Sequence, residues 1–216
     1  MNFSDAPITI SLIALNVIFS MIGFSNKYVM NKTLMWPYYV KRERQYYRFI
    51  TSGFLHADWI HLFFNMFTLY FFGRAIENTF SENELGGRAA YLALYFGALI
   101  ISDLPGYLKH KDDPEYRSLG ASGAVSAVVF AAILFNPWSS IYLYGAFKIS
   151  AALYAILYLV YCVYMGKKGI DNVNHDAHLW GAIFGLIFTI ILIATLQPLL
   201  FTSIMEKLRA PSLFGN

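Results

Sequence analysis

The chain has little charge and almost no cysteine. Of its 216 residues 13% are charged and 57% hydrophobic, whereas a typical soluble domain is about 25% charged. So small a charged fraction cannot cover a water-facing surface, which excludes an ordinary soluble domain and a disordered chain. A net charge of +3 spread along the chain also excludes a nucleic-acid binder. The single cysteine, Cys162, allows no intrachain disulfide, and its place in an apolar run favours a packing role.

Long apolar runs are what the sequence does contain. A helix needs about 20 apolar residues to cross a bilayer, and only helices or closed barrels satisfy their backbone groups in lipid. The runs do not alternate as barrel strands do, so the sequence predicts an all-α membrane protein, a bundle of six transmembrane helices. The predicted spans are about 7–24, 59–76, 89–104, 119–135, 149–165 and 177–201.

The connections between the spans are short, so residues 1–216 are predicted to form one membrane domain with no soluble accessory domain. The longest connection, 25–58, is rich in aromatic and basic residues such as Trp36 and Tyr38. Such side chains suit the membrane–water interface, and we expect this first loop to be interfacial. The leader 1–6 has no Lys or Arg, which argues against a signal peptide.

Basic residues are divided unevenly between the two sides of such a bundle. The side with both termini would carry five Lys and Arg residues, and the side with loops one, three and five would carry the other eleven of the 16. The positive-inside rule places the second side in the cytoplasm. Six of those eleven residues lie in the first loop. If this loop lies in the membrane interface, its Lys and Arg residues should not be counted as those of a free loop.

Polar side chains lie near the start of spans two, four and six. Span two contains His61 and Asn65, span four opens with Gly120-Ala-Ser122-Gly123, and span six opens with His178. Even-numbered spans run in the same direction, so these starts meet at one membrane face. Polar groups inside spans are costly and usually functional.

These groups suit nucleophilic catalysis. His61 and Asn65 are four residues apart, so they share a helix face and both can donate hydrogen bonds. The amide of Ser122 lies in a first helical turn, where the helix dipole favours negative charge. His178 can act as general base toward the serine if spans four and six pack closely. The GxxxG spacing of Gly181 and Gly185 allows such packing.

No carboxylate is well placed to complete a catalytic triad. Asp176 is two residues before His178, and residues two apart do not face the same way on a helix. Asp103, near the end of span three, lies on the correct membrane side and stays open as a third member. We therefore favour a Ser–His dyad.

The three segments resemble the rhomboid family of intramembrane serine proteases. The likeness lies in His56-Ala-Asp-Trp-Ile-His61-Leu-Phe-Phe-Asn65-Met66, in Gly120-Ala-Ser122-Gly123 and in Ala177-His178-Leu-Trp-Gly181-Ala-Ile-Phe-Gly185, and it covers about 46–192. Tyr47-Arg48 and Glu77 also resemble features of the family. Many members carry an aromatic residue four positions after the serine, where this chain has Ser126.

The resemblance implies a role for each matching residue. Ser122 matches the nucleophile and His178 the general base. His61 and Asn65 match the side-chain donors of the oxyanion hole. The supporting residues that it implies are His56, Gly120, Gly123, Gly181 and Gly185.

The implied activity is cleavage of transmembrane segments of membrane proteins through an acyl-enzyme, without cofactor or metal. The expected partners are transmembrane protein substrates and the lipid bilayer. The family places the active site toward the outer face with a cytoplasmic N-terminus, and we follow it over the charge count. With no targeting segment apparent, a bacterial inner membrane is favoured. Segment 171–176 is expected to cap the site.

Two alternatives come from other functional classes. One is a metal site or metal transporter, because His56, His61, His175, His178 and Asp176 could in principle bind zinc; the sequence has no HExxH motif. The other is a non-catalytic rhomboid-like protein that binds membrane helices for folding or quality control.

Overall fold

A computed structural model describes residues 6–143, 147–169 and 173–211, and 77% of them are helical. The prediction of a mostly helical membrane protein is confirmed. Within the described ranges, three helices are long and apolar enough to cross a membrane, namely α1, α7 and α10. The helices are α1 Pro7–Ser25, α2 Lys27–Thr33, α3 Pro37–Glu43, α4 Arg48–Thr51, α5 Trp59–Thr68, α6 Arg74–Glu82, α7 Gly87–His110, α8 Ser122–Phe135, α9 Ala151–Lys168, α10 His175–Leu196 and α11 Pro198–Arg209.

The second predicted span continues beyond its expected end at residue 76. Helix α5 passes through a π-helical segment, Leu69–Gly73, directly into α6. The sequence predicts an end at residue 76 because the charged residue Glu77 follows, but the Glu77 carboxylate is buried and the helix continues past it. The carboxylate accepts hydrogen bonds from the amides of Ile8 and Thr9 at 3.0 and 2.8 Å, so it caps the start of α1.

Helix α8 is the centre of the bundle and is short. It begins at Ser122 instead of residue 119, because Gly120 adopts φ +127° and breaks the regular backbone just before it. Fourteen residues span about 21 Å, less than the roughly 30 Å of a bilayer core. A helix of this length is shorter than the membrane core that the long helices α1, α7 and α10 can cross. Helices α7 and α10 pack against α8 along most of its length.

The fifth predicted span begins two residues too early. Residue Ile149 belongs to an antiparallel hairpin in which β1 Ser140–Leu143 pairs with β2 Phe147–Ser150. Helix α9 begins after it, where the Ser150 hydroxyl accepts from the Leu153 amide at 3.3 Å. Aromatic and β-branched residues favour a strand here, and because β2 leads directly into α9, the apolar Ile149 does not distinguish the end of the strand from the start of the helix.

The sixth predicted span ends too late. Helix α10 ends at Leu196, and Pro198 opens the separate helix α11. Proline lacks an amide hydrogen and is favoured in the first turn of a helix, so it divides the apolar run in two.

The first loop is folded against the third. Met35 and Ser118 exchange backbone hydrogen bonds, both of 3.0 Å. Arg48 is 2% exposed and donates to the carbonyl oxygens of Asn31 and Leu34. The loop thereby supports the chain that leads into α8.

Apolar side chains on the outer faces of the helices are exposed. Ile60 of α5 is 70% exposed, Val160 of α9 is 62% and Ile191 of α10 is 60%. Exposed apolar surface of this extent suits contact with lipid. The chain is thus an integral membrane protein.

Candidate active site

The Gly120–Ser122 turn brings the serine beside the ring of His61. A Cβ atom at Gly120 would lie 2.8 Å from His61 Cε1, 3.1 Å from its Nε2 and 3.8 Å from Ser122 Oγ. The amide of Gly120 donates to the Ser52 carbonyl at 3.0 Å, which fixes the turn. Only glycine combines this φ with such a close approach.

The donors on α5 are held in place by their own helix. The side chain of Asp58 accepts from the His61 amide at 2.8 Å and caps α5. The Asn65 side-chain amide donates one N–H to the His61 carbonyl at 3.0 Å, and its second N–H is available to another acceptor. The Ala57 amide lies 3.5 Å from His61 Nδ1. With Nδ1 accepting, Nε2 carries the proton and faces Gly120.

Helices α8 and α10 touch at their backbones. A Cβ atom at Gly181 would collide with the Gly123 carbonyl, and one at Gly185 with the Ala127 carbonyl. A Cβ atom at Gly123 would in turn collide with Ser102 of α7. Gly123 of α8 and the pair Gly181 and Gly185 of α10 therefore let these two helices meet, as the GxxxG spacing indicates, and Ser102 brings α7 against the same point.

His178 lies one turn before Gly181, where the side chain of Asn174 caps α10 by accepting from the Ala177 amide at 3.0 Å. The ring of Tyr158, from α9, lies nearly parallel to the His178 ring, at 15° and 6.3 Å between centroids. The Tyr158 hydroxyl is 2.9 Å from Ser126 Oγ. An aromatic residue of α9 thus takes the place expected four residues after the serine.

His56 lies behind His61 and is fully buried. Its Nδ1 is 2.9 Å from the Ser20 hydroxyl of α1, and its ring is 5.0 Å from that of His61. Burial lowers the pKa of His56 to about 3, helped by His61 and opposed by Asp58. The uncharged His56 ring packs against the His61 ring and supports its position.

The two carboxylates considered for a triad have other partners. Asp103 Oδ2 accepts from the Ser52 hydroxyl at 3.3 Å, beneath the turn that precedes Ser122. Asp176 Oδ2 lies 3.8 Å from Lys109 Nζ. These contacts give Asp103 and Asp176 structural partners in loop one and α7.

A cavity of about 1150 Å³ joins these groups. Its wall includes His61, Asn65, Ser122 and His178, and it extends between α5 and α9. Four residues of the expected cap fall within the described part of the chain: Val173 and Asn174 line the cavity, and His175 and Asp176 begin α10. Asp171 and Asn172 lie outside the described residues.

Sequence reasoning missed the tyrosines of α9. Tyr154 and Tyr158 line the cavity, and their rings stack at 5.8 Å. A buried tyrosine hydroxyl needs a hydrogen-bond partner. Tyrosines spaced four apart inside an apolar span were the signal that could have drawn attention to them.

The arrangement has the parts of an acyl-transfer site. A serine at a helix start lies near a histidine ring and shares a cavity with a side-chain amide that can donate to an oxyanion. A second histidine lines the same cavity and is the candidate base. The structure thus describes a helical membrane protein with a polar, serine-containing cavity inside its bundle.

The family follows from the sequence comparison. A family model described as Rhomboid domain matches residues 43–195, and the chain belongs to the rhomboid family. It is similar to RHOMBOID-like protein 12, mitochondrial, of Arabidopsis thaliana, with 29% identity over 84% of this chain and 57% of the relative. It is also 34% identical to Rhomboid-like protein 11, chloroplastic, of the same plant, over 66% of this chain and 51% of the relative.

A bacterial relative is similar over a comparable length. The Putative rhomboid protease YdcA of Bacillus subtilis (strain 168) is 28% identical over 67% of this chain and 66% of the relative. The chain thus spans about half to two thirds of the length of these curated relatives.

Proposed function

We propose that this chain is an intramembrane serine endopeptidase that cuts transmembrane segments of other membrane proteins. Ser122 attacks the substrate carbonyl and His178 takes the serine proton, which forms an acyl-enzyme that water then hydrolyses. His61 Nε2, the Asn65 side-chain amide and the Ser122 amide stabilise the oxyanion. No cofactor is needed for this chemistry.

The observation that carries the proposal is the close approach of Ser122 and His61 at Gly120. Ser122 Oγ and His61 Nε2 lie 3.8 and 3.1 Å from one Gly120 Cβ position, so the two atoms are at most about 7 Å apart on either side of Gly120. An oxyanion formed by Ser122 would therefore lie within reach of His61. The cavity that contains them gives water and an unwound substrate access.

We also propose six membrane crossings by one rhomboid-like domain over residues 1–216, with its catalytic core at about 46–192. The crossings are α1, the α5–α6 rod, α7, α8, α9 and α10. The N-terminus is cytoplasmic and the site faces outward in this proposal, which places both ends of α11 on the cytoplasmic side. A bacterial inner membrane is our choice, although two of the similar plant proteins are named mitochondrial and chloroplastic.

Covalent labelling tests the nucleophile without knowledge of the substrate. The folded chain in detergent should react with a fluorophosphonate probe, and the bound probe should map to Ser122. Ser122→Ala should abolish labelling, and Ser126→Ala, one helical turn away, should leave it intact. Labelling of both variants at an equal rate would contradict the assignment. A folded chain that never labels would favour the non-catalytic, helix-binding alternative.

A further inference from the structure

A second cluster of reactive side chains lies between α9 and α10. The Sγ of Cys162 and ring nitrogens of His175 and His178 lie within 4.8 Å of one another. Cys162 is 1% exposed and His175 is 4% exposed, while His178 also lines the cavity. The cluster is thus buried at Cys162 and His175 and is accessible from the cavity at His178.

The two helices hold the three donors on facing surfaces. His175 and His178 are three residues apart in the first turn of α10, so they share one face. Their rings are 6.0 Å apart, and the edge of Tyr161 from α9 packs against His175 at 5.4 Å. Cys162 is the next residue of α9, and Tyr158, one turn earlier, covers His178. Packing therefore limits how far the donors can separate.

A thiolate with two imidazoles is a donor set for zinc or a similar thiophilic ion. Zinc bound at about 2.3 Å to sulfur and about 2.0 Å to nitrogen places tetrahedral donors about 3.5 Å apart. The three donor atoms lie within 4.8 Å of one another, so side-chain movements of up to about 1 Å bring them to that spacing. The fourth position would face the cavity and take a water molecule.

We propose that Cys162, His175 and His178 bind one thiophilic divalent cation, and that the bound ion blocks the site by occupying the imidazole of His178. Binding displaces the thiol proton to solvent and forms bonds from sulfur and two ring nitrogens to the metal, so affinity rises with pH. A metal-bound His178 has no lone pair with which to accept the serine proton. The inhibitory part rests on the proposed protease function, whereas the binding part does not.

This cluster differs from the zinc set weighed from the sequence. That set joined His56, His61, His175, His178 and Asp176. The structure places His56 and His61 in a separate pair behind the serine and directs Asp176 toward Lys109. Cys162, expected only to pack, supplies the third donor instead.

Cadmium binding tests the site directly, because Cys162 is the only cysteine and a cadmium–thiolate absorption band can arise nowhere else. The full chain in detergent should bind one Cd²⁺ per chain with that band. Cys162→Ser should abolish the band, and His175→Gln should weaken affinity by at least about tenfold. His110→Gln, a histidine outside the cluster, should change neither. A missing band, or one unaffected by His175→Gln, would overturn the proposal.

Inhibition is measured separately from binding. Micromolar Zn²⁺ should slow cleavage of a reporter substrate by the wild type, and a chelator should restore it. Measured relative to its own zinc-free rate, Cys162→Ser should need at least about tenfold more Zn²⁺ for the same fractional inhibition. Equal inhibition of both proteins would contradict the blocking role. A chain that binds cadmium but neither cuts the reporter nor reacts with the fluorophosphonate would contradict the protease function and leave the metal site standing.

Discussion

At the scale of single residues, loss of the nucleophile should lower the cleavage rate more than loss of one oxyanion donor. Ser122→Ala removes the attacking atom and should leave almost no cleavage. Asn65→Ala removes one of three donors, which typically lowers kcat about 10²–10³-fold. Initial rates on one substrate, with folding checked by thermal shift, separate the two. Equal and complete loss in a folded Asn65→Ala variant would mean that Asn65 does more than donate one hydrogen bond.

Tyr158 acts through His178, as a positioning residue. Tyr158→Phe keeps the ring that lies parallel to His178 and loses the hydroxyl, whose hydrogen bonds to Ser126 and Cys162 are each worth about 1 kcal/mol. It should retain most of the activity. Tyr158→Ala frees the imidazole and should lower kcat about 10–100-fold with little change in KM.

The matched control for Tyr158 is Ser126→Ala, which removes the hydrogen bond between Tyr158 and Ser126 from the other side. It should behave like Tyr158→Phe in steady-state kinetics. If Tyr158→Phe is as slow as Tyr158→Ala, the ring is not what positions His178.

Burial of His56 predicts an acid-sensitive fold. Its pKa is lowered to about 3 in the folded chain, against about 6.5 when unfolded. Below pH 6.5 the unfolded chain therefore binds a proton at His56 that the folded chain does not bind. The free energy of unfolding is unaffected by His56 above pH 6.5 and decreases as the pH falls from 6.5 toward 3.

At pH 5 the lost stability is about 2 kcal/mol. The thermal midpoint of the wild type should fall between pH 7 and pH 5, and His56→Asn, which does not titrate, should show a smaller fall. Equal falls in both proteins would show that other groups cause the acid sensitivity.

At the scale of elements, the contact of α8 with α10 is set by glycine. Gly181→Ala places a methyl group on the Gly123 carbonyl, and overpacking of this kind costs about 1–3 kcal/mol. The thermal midpoint and the cleavage rate should both fall, because Ser122 and His178 move apart.

Gly106→Ala in α7 is the control for a helical glycine with space around it, since its Cβ would lie 3.5 Å from Tyr116 Oη. This variant should stay close to wild type. A Gly181→Ala protein as stable and active as Gly106→Ala would contradict the close contact of the two helices.

The elements show what the sequence can and cannot predict. The GxxxG spacing of Gly181 and Gly185 predicts the α8–α10 contact because it depends on residue size alone. Three features could not be predicted from an apolar run, because the same residues suit a helix, a strand or a break between helices. They are the hairpin before α9, the continuation of α5 through a π-helical segment and the break at Pro198. Tyr158 escaped prediction because its partner, Ser126, lies on another helix.

At the scale of the whole molecule, the short α8 sets the depth of the site. A 14-residue helix is too short to cross the full hydrocarbon core, so under the proposed topology Ser122 lies below the outer membrane surface and the cavity above it admits water. The family membership and the exposed apolar faces of α5, α9 and α10 agree with this position inside a bilayer.

The proposed orientation predicts which residues an impermeant thiol reagent reaches. In a Cys162→Ser background, Glu115→Cys in loop three should react in intact bacterial cells that express the chain. Glu82→Cys at the end of α6 should react only after the membrane is opened. Both residues are exposed, so the difference reports the side of the membrane. The reverse pattern would favour the Lys and Arg count over the family topology.

The measurement that tests the account most directly is cleavage in lipid vesicles. A labelled single-span substrate with a helix-weakened segment would be given to the wild type, to Ser122→Ala and to His178→Ala, each checked for folding. The account predicts cutting by the wild type and none by either folded variant. Undiminished cutting by either variant would contradict the Ser122–His178 dyad.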